Sequence, residues 1–418
     1  MSDAIVPHSH SSSAKRFRKF NLAFGPLLIF SLLGQIAVVW TQLDDIRDGY
    51  FDFVLYHSAA RIVGDGKGAE LYDLTVQGDY QMGSRVEPQT RPLPFNHLPY
   101  ELLPLLPLAQ LSFPVAHAVW AVLNFLLLIL TLFRLLPFVA ASQRKLACLM
   151  LFAFFPTLTT LKMGQDSVLT AYLLTETFVS LKHKRYGLAG SLLALGLYKP
   201  QFVLPIAGLL LWQRRWPAVL GFLLTGLALT IISLAMVGWQ GLMGLMALWL
   251  PMMERGNVVW PELMLNLRGL VHMTLSLGGI TSATNSWTLA LSIAAYLLTL
   301  YFWPRETRES DHLIELRFAL AVVMTALVSF HLYSYDGTLL AIALILTLNH
   351  FVVAQQQSPK AQWIFLLLLI VMFLPLVPNI LLSSAVLAWW ALPVPVLFWV
   401  IAMEIRYQSH SIAVANRT

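Results

Sequence analysis

The feature that most constrains this chain is a series of apolar blocks, each close to the ~20 residues that cross a bilayer as a helix. The run "WIFLLLLIVMFLPL" at Trp363–Leu376 is typical. Of 418 residues, 58% are apolar and only 11% are charged, against about 25% charged in a soluble domain. A single water-soluble core cannot hide that much apolar surface. Soluble enzymes, DNA-binding domains and disordered scaffolds are therefore excluded. A transmembrane β-barrel alternates apolar and polar residues, and these blocks do not. The reading is an all-α polytopic membrane protein.

The single cysteine, Cys148, allows no intrachain disulfide and no cysteine metal site. The formal charge of +6 would suggest nucleic acid in a soluble chain. In a membrane chain the distribution of charge carries more information than its sum, and no nucleic-acid partner is expected.

Twelve spans are expected, at roughly 21–41, 115–136, 146–161, 166–181, 187–198, 201–213, 216–237, 286–303, 315–332, 337–354, 362–381 and 384–403. The first is read as uncleaved, because its exit "VVWTQLDD" has no small-x-small cleavage site. Residues 1–19 read as a disordered cytoplasmic tail, 20–408 as the transmembrane domain, and 409–418 as a second cytoplasmic tail. With the basic clusters at 15–19, 134–145, 182–185, 214–215, 305–317, 360 and 406–417 inside, 18 of 27 Lys and Arg lie on the cytoplasmic face. That asymmetry follows the positive-inside rule. The spans flanking Lys199 are short, about 12 residues each, and require a thin membrane or a deep outer cavity. Segments 95–112 and 239–276, apolar but broken by proline, glycine and charge, are expected as helices at the outer interface.

An ionisable residue inside an apolar span costs about 2.5–3.5 kcal/mol on insertion scales, so each needs a reason. In this layout the polar interruptions gather on the outer side, from five separate segments. Asp52 and Tyr56 share a helix face in the first loop, 42–98, and a glycine-rich turn at Gly64–Gly68 ends that helix. Phe53, Leu55, Tyr56 and Ala60 are expected to hold it on the membrane surface. Asp52 is either a fixed general base toward a hydroxyl or a solvated carboxylate. Gln165 and Asp166 open the next site segment, where Asp166 or Ser167 either caps a helix or helps seat a ligand at its N-terminus. Lys199 stands before the helix-breaking Pro200 as either a snorkelling side chain or a cation in an outer cavity. Asn266 and Arg268 follow in "LNLRGLVHM", where the arginine can pair with phosphate. His331, Tyr335 and Asp336 lie at a span junction in "SFHLYSYDGTLLA". There is no Walker A loop, Rossmann fingerprint or HExxH, and neither a metal nor a cofactor is expected.

Taken in order, "FDFVLYHSAARIVGDGKGAELYD" at 51–73, "GQDSVLTAYLL" at 164–174, "AGSLLALGLYKPQFVLP" at 189–205, "NLRG" at 266–269 and "HLYSYD" at 331–336 resemble the polytopic GT-C glycosyltransferases. They are most similar to the bacterial polyprenol-phosphate-mannose-dependent α-1,2-mannosyltransferases. The stretch 97–124 also resembles the segment that follows the family's first loop, departing from it at His97–Tyr100. The resemblance implies a GT-C-like bundle whose outer loop 42–98 and outer segment 239–276 form the site. It implies Asp52 as catalytic base, His331 beside the reaction centre and Lys199 on the donor phosphate; the chemistry of a departing phosphate adds Arg268 or a protonated His331 as a second cation. Tyr56, Gln165, Asp166, Asn266, Tyr335 and Asp336 would contact substrate. The implied reaction is inverting transfer of a sugar, mannose by resemblance, from a polyprenyl-phosphate-linked donor to a lipid or glycan hydroxyl acceptor. It would take place on the periplasmic or extracellular face of the plasma membrane, amid membrane lipids. The alternative is a secondary transporter or lipid-linked sugar flippase. Such proteins often show inverted repeats and central ionisable pairs, and neither is visible here.

Overall fold

A computed structural model describes residues 9–83, 92–255, 260–304, 311–354, 357–374 and 391–415. Among these residues every regular element is helical. The chain opens with α1 (Ser9–Thr41), so helix extends through the basic run expected as a tail. Lys and Arg are good helix formers. The first loop holds α2 (Leu43–Arg47), α3 (Phe53–Gly64) and α4 (Leu74–Met82). Then come α5 (Phe113–Leu135), α6 (Arg144–Ala153), α7 (Phe155–Met163) and α8 (Ser167–Lys182). The chain continues through α9 (Tyr186–Leu195), α10 (Pro200–Trp212), α11 (Trp216–Arg255) and α12 (Leu267–Ser276). The remaining helices are α13 (Thr284–Phe302), α14 (Asp311–Val328), α15 (Leu340–Val353), α16 (Pro359–Phe373) and α17 (Pro393–Ala415).

Each of the twelve expected spans overlaps a helix or, at 146–161, a bent pair. Among the described residues, five are long and apolar enough to cross a membrane on length and composition, or six if α6 and α7, bent by 44°, count as one. Helices α9, α10 and α16 are apolar but shorter. The expected spans 362–381 and 384–403 run into residues 375–390, outside the described residues.

The helices sort by what surrounds them. Helix α15 is apolar on every face from Leu340 to Leu346, and every residue from Leu340 to Phe351 is buried. A helix hydrophobic on all faces belongs inside protein, and α15 packs against α14 in the main core. Helices α11 and α13 instead expose Leu223, Leu227, Ile231, Leu289 and Leu297. In a membrane chain these faces meet hydrocarbon, so the main core is a bundle with an apolar rim.

A second, smaller core sits on this bundle. Phe53, Tyr56, Ala59 and Ala60 of α3 pack with Phe95, Leu102, Phe113 and Trp120, and with Val237 and Leu245 of α11. The apolar face expected on the membrane surface is thus buried against protein, and Leu55 is half-buried. Segment 95–112 holds short 3₁₀ turns, Pro99–Leu102 and Leu108–Gln110, where helix was expected. Pro99, Pro104 and Pro107 withdraw the amide donors that an α-helix would need there. Two glycines let the cap approach closely. A Cβ on Gly68 would lie 2.3 Å from the Met236 carbonyl oxygen, beside the non-helical Gly238 (φ +66°) that breaks α11. Gly164 adopts φ +67°, and a Cβ there would lie 2.5 Å from that of Phe53.

Candidate functional site

Between the two cores lies a polar layer built by the ends of helices. Helix α7 closes on Gly164 in the left-handed region, and the chain turns through Gln165 and Asp166 into α8. Trp120 Nε1 donates to the Gly164 carbonyl at 2.9 Å and holds this turn. Helix α3 begins just after Asp52, and the close packing of Phe53 on Gly164 brings the two segments together. Gln165 bridges them: its Nε2 donates to Asp52 Oδ2 at 2.7 Å and its Oε1 accepts from the Tyr56 hydroxyl at 2.8 Å. The shared face expected for Asp52 and Tyr56 is therefore present, and both residues read the same amide.

Lys199 ends the break between α9 and α10 and is buried. Its Nζ lies 2.6 Å from Asp166 Oδ1 and 2.7 Å from Asp336 Oδ1, and it donates to Ser167 Oγ at 2.9 Å. Ser167 Oγ in turn donates to Asp336 at 2.7 Å. The Lys199 ammonium also lies over the Tyr335 ring, 5.6 Å from its centre. Protein groups thus replace the solvent expected around this cation. Asp166 sits at the N-cap position of α8 but makes no side-chain cap bond. Its carboxylate serves Lys199 instead, because a buried ammonium needs anionic partners more than a helix end needs one acceptor.

The 331–336 junction is tied down by its neighbours. The Leu265 amide donates to the Leu332 carbonyl, and Asn266 Nδ2 donates to the Ser329 carbonyl at 2.6 Å. Asn266 Oδ1 accepts from the Gly269 amide, capping α12, so both ends of this amide are engaged. Arg268 Nη1 donates to the Phe330 carbonyl at 3.3 Å, next to His331. Its Nε has no hydrogen-bond partner among the described residues. The His331 ring meets Tyr333 edge-on with centres 4.3 Å apart.

Two residues not singled out from the sequence complete the layer. His97 Nδ1 lies 2.7 Å from Glu101 Oε2. Burial pushes the His97 imidazole down to about 4. Burial also pushes the Glu101 carboxyl well above the ordinary carboxylate range, reinforced by the nearby charge of Asp166. Donor atoms of His97, Glu101 and Asp166 all lie within 4.8 Å of one another. A histidine and a glutamate four apart inside the otherwise apolar "HLPYELLPLLP" were the available signal, since a lone buried carboxylate needs a partner.

Chemically, the layer offers an oriented carboxylate at Asp52, cations at Lys199 and Arg268, and a set of carboxylates around Lys199. That combination suits proton removal from a hydroxyl beside an anionic leaving group. Comparison with known proteins gives a family match. The model of glycosyltransferase family 87 covers residues 97–332, more than half of the chain. No curated protein and no solved structure matches. The matched stretch contains His97, Glu101, Gln165, Asp166, Lys199, Asn266, Arg268 and His331, while Asp52, Tyr56, Tyr335 and Asp336 lie outside it. Helices long and apolar enough to cross a membrane, a polar layer seated at helix ends and this match agree: the chain is a membrane glycosyltransferase and belongs to glycosyltransferase family 87.

Proposed function

We propose that this enzyme takes a sugar, mannose by resemblance, from a polyprenyl-phosphate-linked donor and passes it with inversion to a hydroxyl of a lipid or glycan acceptor. The supporting observation is the convergence at one layer of Asp52 and Tyr56, Gln165 and Asp166, Lys199, and Asp336, joined by short hydrogen bonds and ion pairs. In this reading the acceptor oxygen forms a bond to the anomeric carbon as the bond from that carbon to the donor phosphate oxygen breaks. Asp52 takes the hydroxyl proton, and Gln165 keeps its carboxylate aimed. Negative charge grows on the departing polyprenyl phosphate. Arg268, with its Nε free of a protein acceptor among the described residues, and Lys199 stabilise it electrostatically, and His331 lies beside Arg268's anchor. Tyr56, Asn266 and Tyr335 shape the walls against which the sugar packs.

The accompanying layout has twelve spans, with residues 20–408 as one transmembrane domain and both tails cytoplasmic. Loop 42–98 and segment 239–276 face the periplasmic or extracellular side of the plasma membrane. Incubating the purified protein with several polyprenyl-phosphate sugars and an acceptor extract should release polyprenyl phosphate with one of them. Turnover only with a nucleotide sugar would overturn the donor class. For topology, a cysteine replacing Gly66 in a Cys148→Ser background should react with an impermeant thiol reagent on intact cells. Labelling only after permeabilisation would reverse the layout.

A further inference from the structure

In the polar layer three buried carboxylates face one buried ammonium. Glu101, Asp166, Asp336 and Lys199 are each at least nine-tenths buried. Lys199 is shared between Asp166 Oδ1 and Asp336 Oδ1. With all three acids ionised, these four groups carry a formal charge of −2, and uncompensated buried charge costs several kcal/mol per ion. A second observation shows where the compensation belongs. Glu101 Oε1 and Asp166 Oδ2 are shut off from solvent and find no donor among the described residues while both acids are ionised; the two carboxyls hydrogen-bond to each other only when one of them holds a proton. The other Glu101 oxygen rests on His97 Nδ1 at 2.7 Å. One donor atom from each of His97, Glu101 and Asp166 falls within a 4.8 Å span. A cation at bond lengths of about 2.0–2.4 Å reaches three atoms spaced like that.

We propose that His97, Glu101 and Asp166 form a divalent-cation site, in which Asp166 bridges the cation on one oxygen and Lys199 on the other. Two carboxylates and one imidazole suit Mn²⁺, which accepts nitrogen more readily than Mg²⁺ or Ca²⁺ does. A +2 ion brings the four-group set to zero. A single proton shared between Glu101 and Asp166 leaves it at −1. The residues come from two separate segments, the 3₁₀ turn after the first loop and the start of α8. A bound ion would therefore also pin the cap to the bundle. This site departs from the sequence expectation of no metal, and it stands or falls independently of which sugar donor the enzyme uses.

The test uses the full-length protein in detergent micelles, titrated with MnCl₂ while the electron paramagnetic resonance signal of free Mn²⁺ is followed. The expected result is saturation near one Mn²⁺ per chain, with spin-echo modulation from one directly bound imidazole nitrogen that disappears in His97→Gln. Glu101→Gln and Asp166→Asn should each weaken binding at least about tenfold. Glu315→Gln, a buried carboxylate change elsewhere, should leave affinity unchanged. Three results would overturn the site: no saturable binding near one per chain, a bound ion without nitrogen modulation, or wild-type affinity in both carboxylate variants. The first two are read on the wild-type protein, so they decide the matter even if a variant fails to fold.

Discussion

Two buried polar clusters lie on either side of α15, and they handle charge differently. Toward its C-terminal end, Glu404 is fully buried and fully satisfied. One carboxylate oxygen lies 3.0 Å from His350 Nε2 and accepts from Gln408 Nε2 at 2.7 Å, and the other accepts from the Ser358 amide. Nearby, Glu315 has Lys182 at 3.2 Å. Before the N-terminal end, Asp336 belongs to a group in which three carboxylates share one ammonium, leaving oxygens of Glu101 and Asp166 without a donor while both acids are ionised. The first cluster is what a satisfied structural network looks like. The second carries unmet acceptors inside protein, a cost that stability does not explain and that a ligand can offset. Satisfaction, rather than burial or charge, separates the joint that holds the bundle from the candidate site.

The strongest way to break this contrast is Lys199→Met. It strands Asp166 and Asp336, so thermal unfolding in detergent should report a loss of about 3–5 kcal/mol together with collapse of sugar transfer. The matching change Lys182→Met removes a pair whose members are 13% and 11% exposed and should cost clearly less. Equal losses would mean that the two ends are energetically alike.

Next in size is Asp52→Asn, which keeps shape and removes basicity. Transfer should fall by roughly 10²–10⁴-fold with little change in melting temperature. Near wild-type turnover would remove Asp52 from the role of base. Glu404→Gln is the complementary case. It should lower stability by about 1–3 kcal/mol, the cost of unpairing buried donors, while turnover per folded molecule stays unchanged. A specific loss of turnover would draw the inner cluster into function.

Gly164→Ala sharpens the link between cap and bundle. The new methyl group meets Phe53 and the left-handed backbone resists it, for a cost of about 1–3 kcal/mol. Because Phe53 follows Asp52 directly, transfer should drop further than stability alone predicts. A rate that merely tracks the folded fraction would show that Asp52 is positioned some other way. The smallest effect is expected for Asp48→Asn, a change just outside the cap. It should stay within about 0.5 kcal/mol in stability and leave transfer close to wild type.

What the sequence by itself determined is the part governed by solvent and by local geometry. Apolar runs near the thickness of a bilayer mark membrane helices because only a helix satisfies its backbone hydrogen bonds in lipid within a single segment. Gly64–Gly68 ended α3 and Pro200 opened α10 as expected, since turn and proline chemistry act within a few residues. The candidate residues could be nominated because a polar group in an apolar run is costly wherever it finally lies. Only the tertiary structure decided their partners. Nothing local to Lys199 says that it meets Asp166 and Asp336, 33 and 137 residues away. Nothing near Glu101 tells that its carboxyl comes within reach of Asp166. The face of α3 also reads equally well as lipid-facing or protein-facing, because hydropathy measures avoidance of water and does not identify the partner. Long-range packing made that choice, through close approaches at Gly68 and Gly164. The same packing turned scattered costly residues into one polar layer in which three carboxylates share one ammonium.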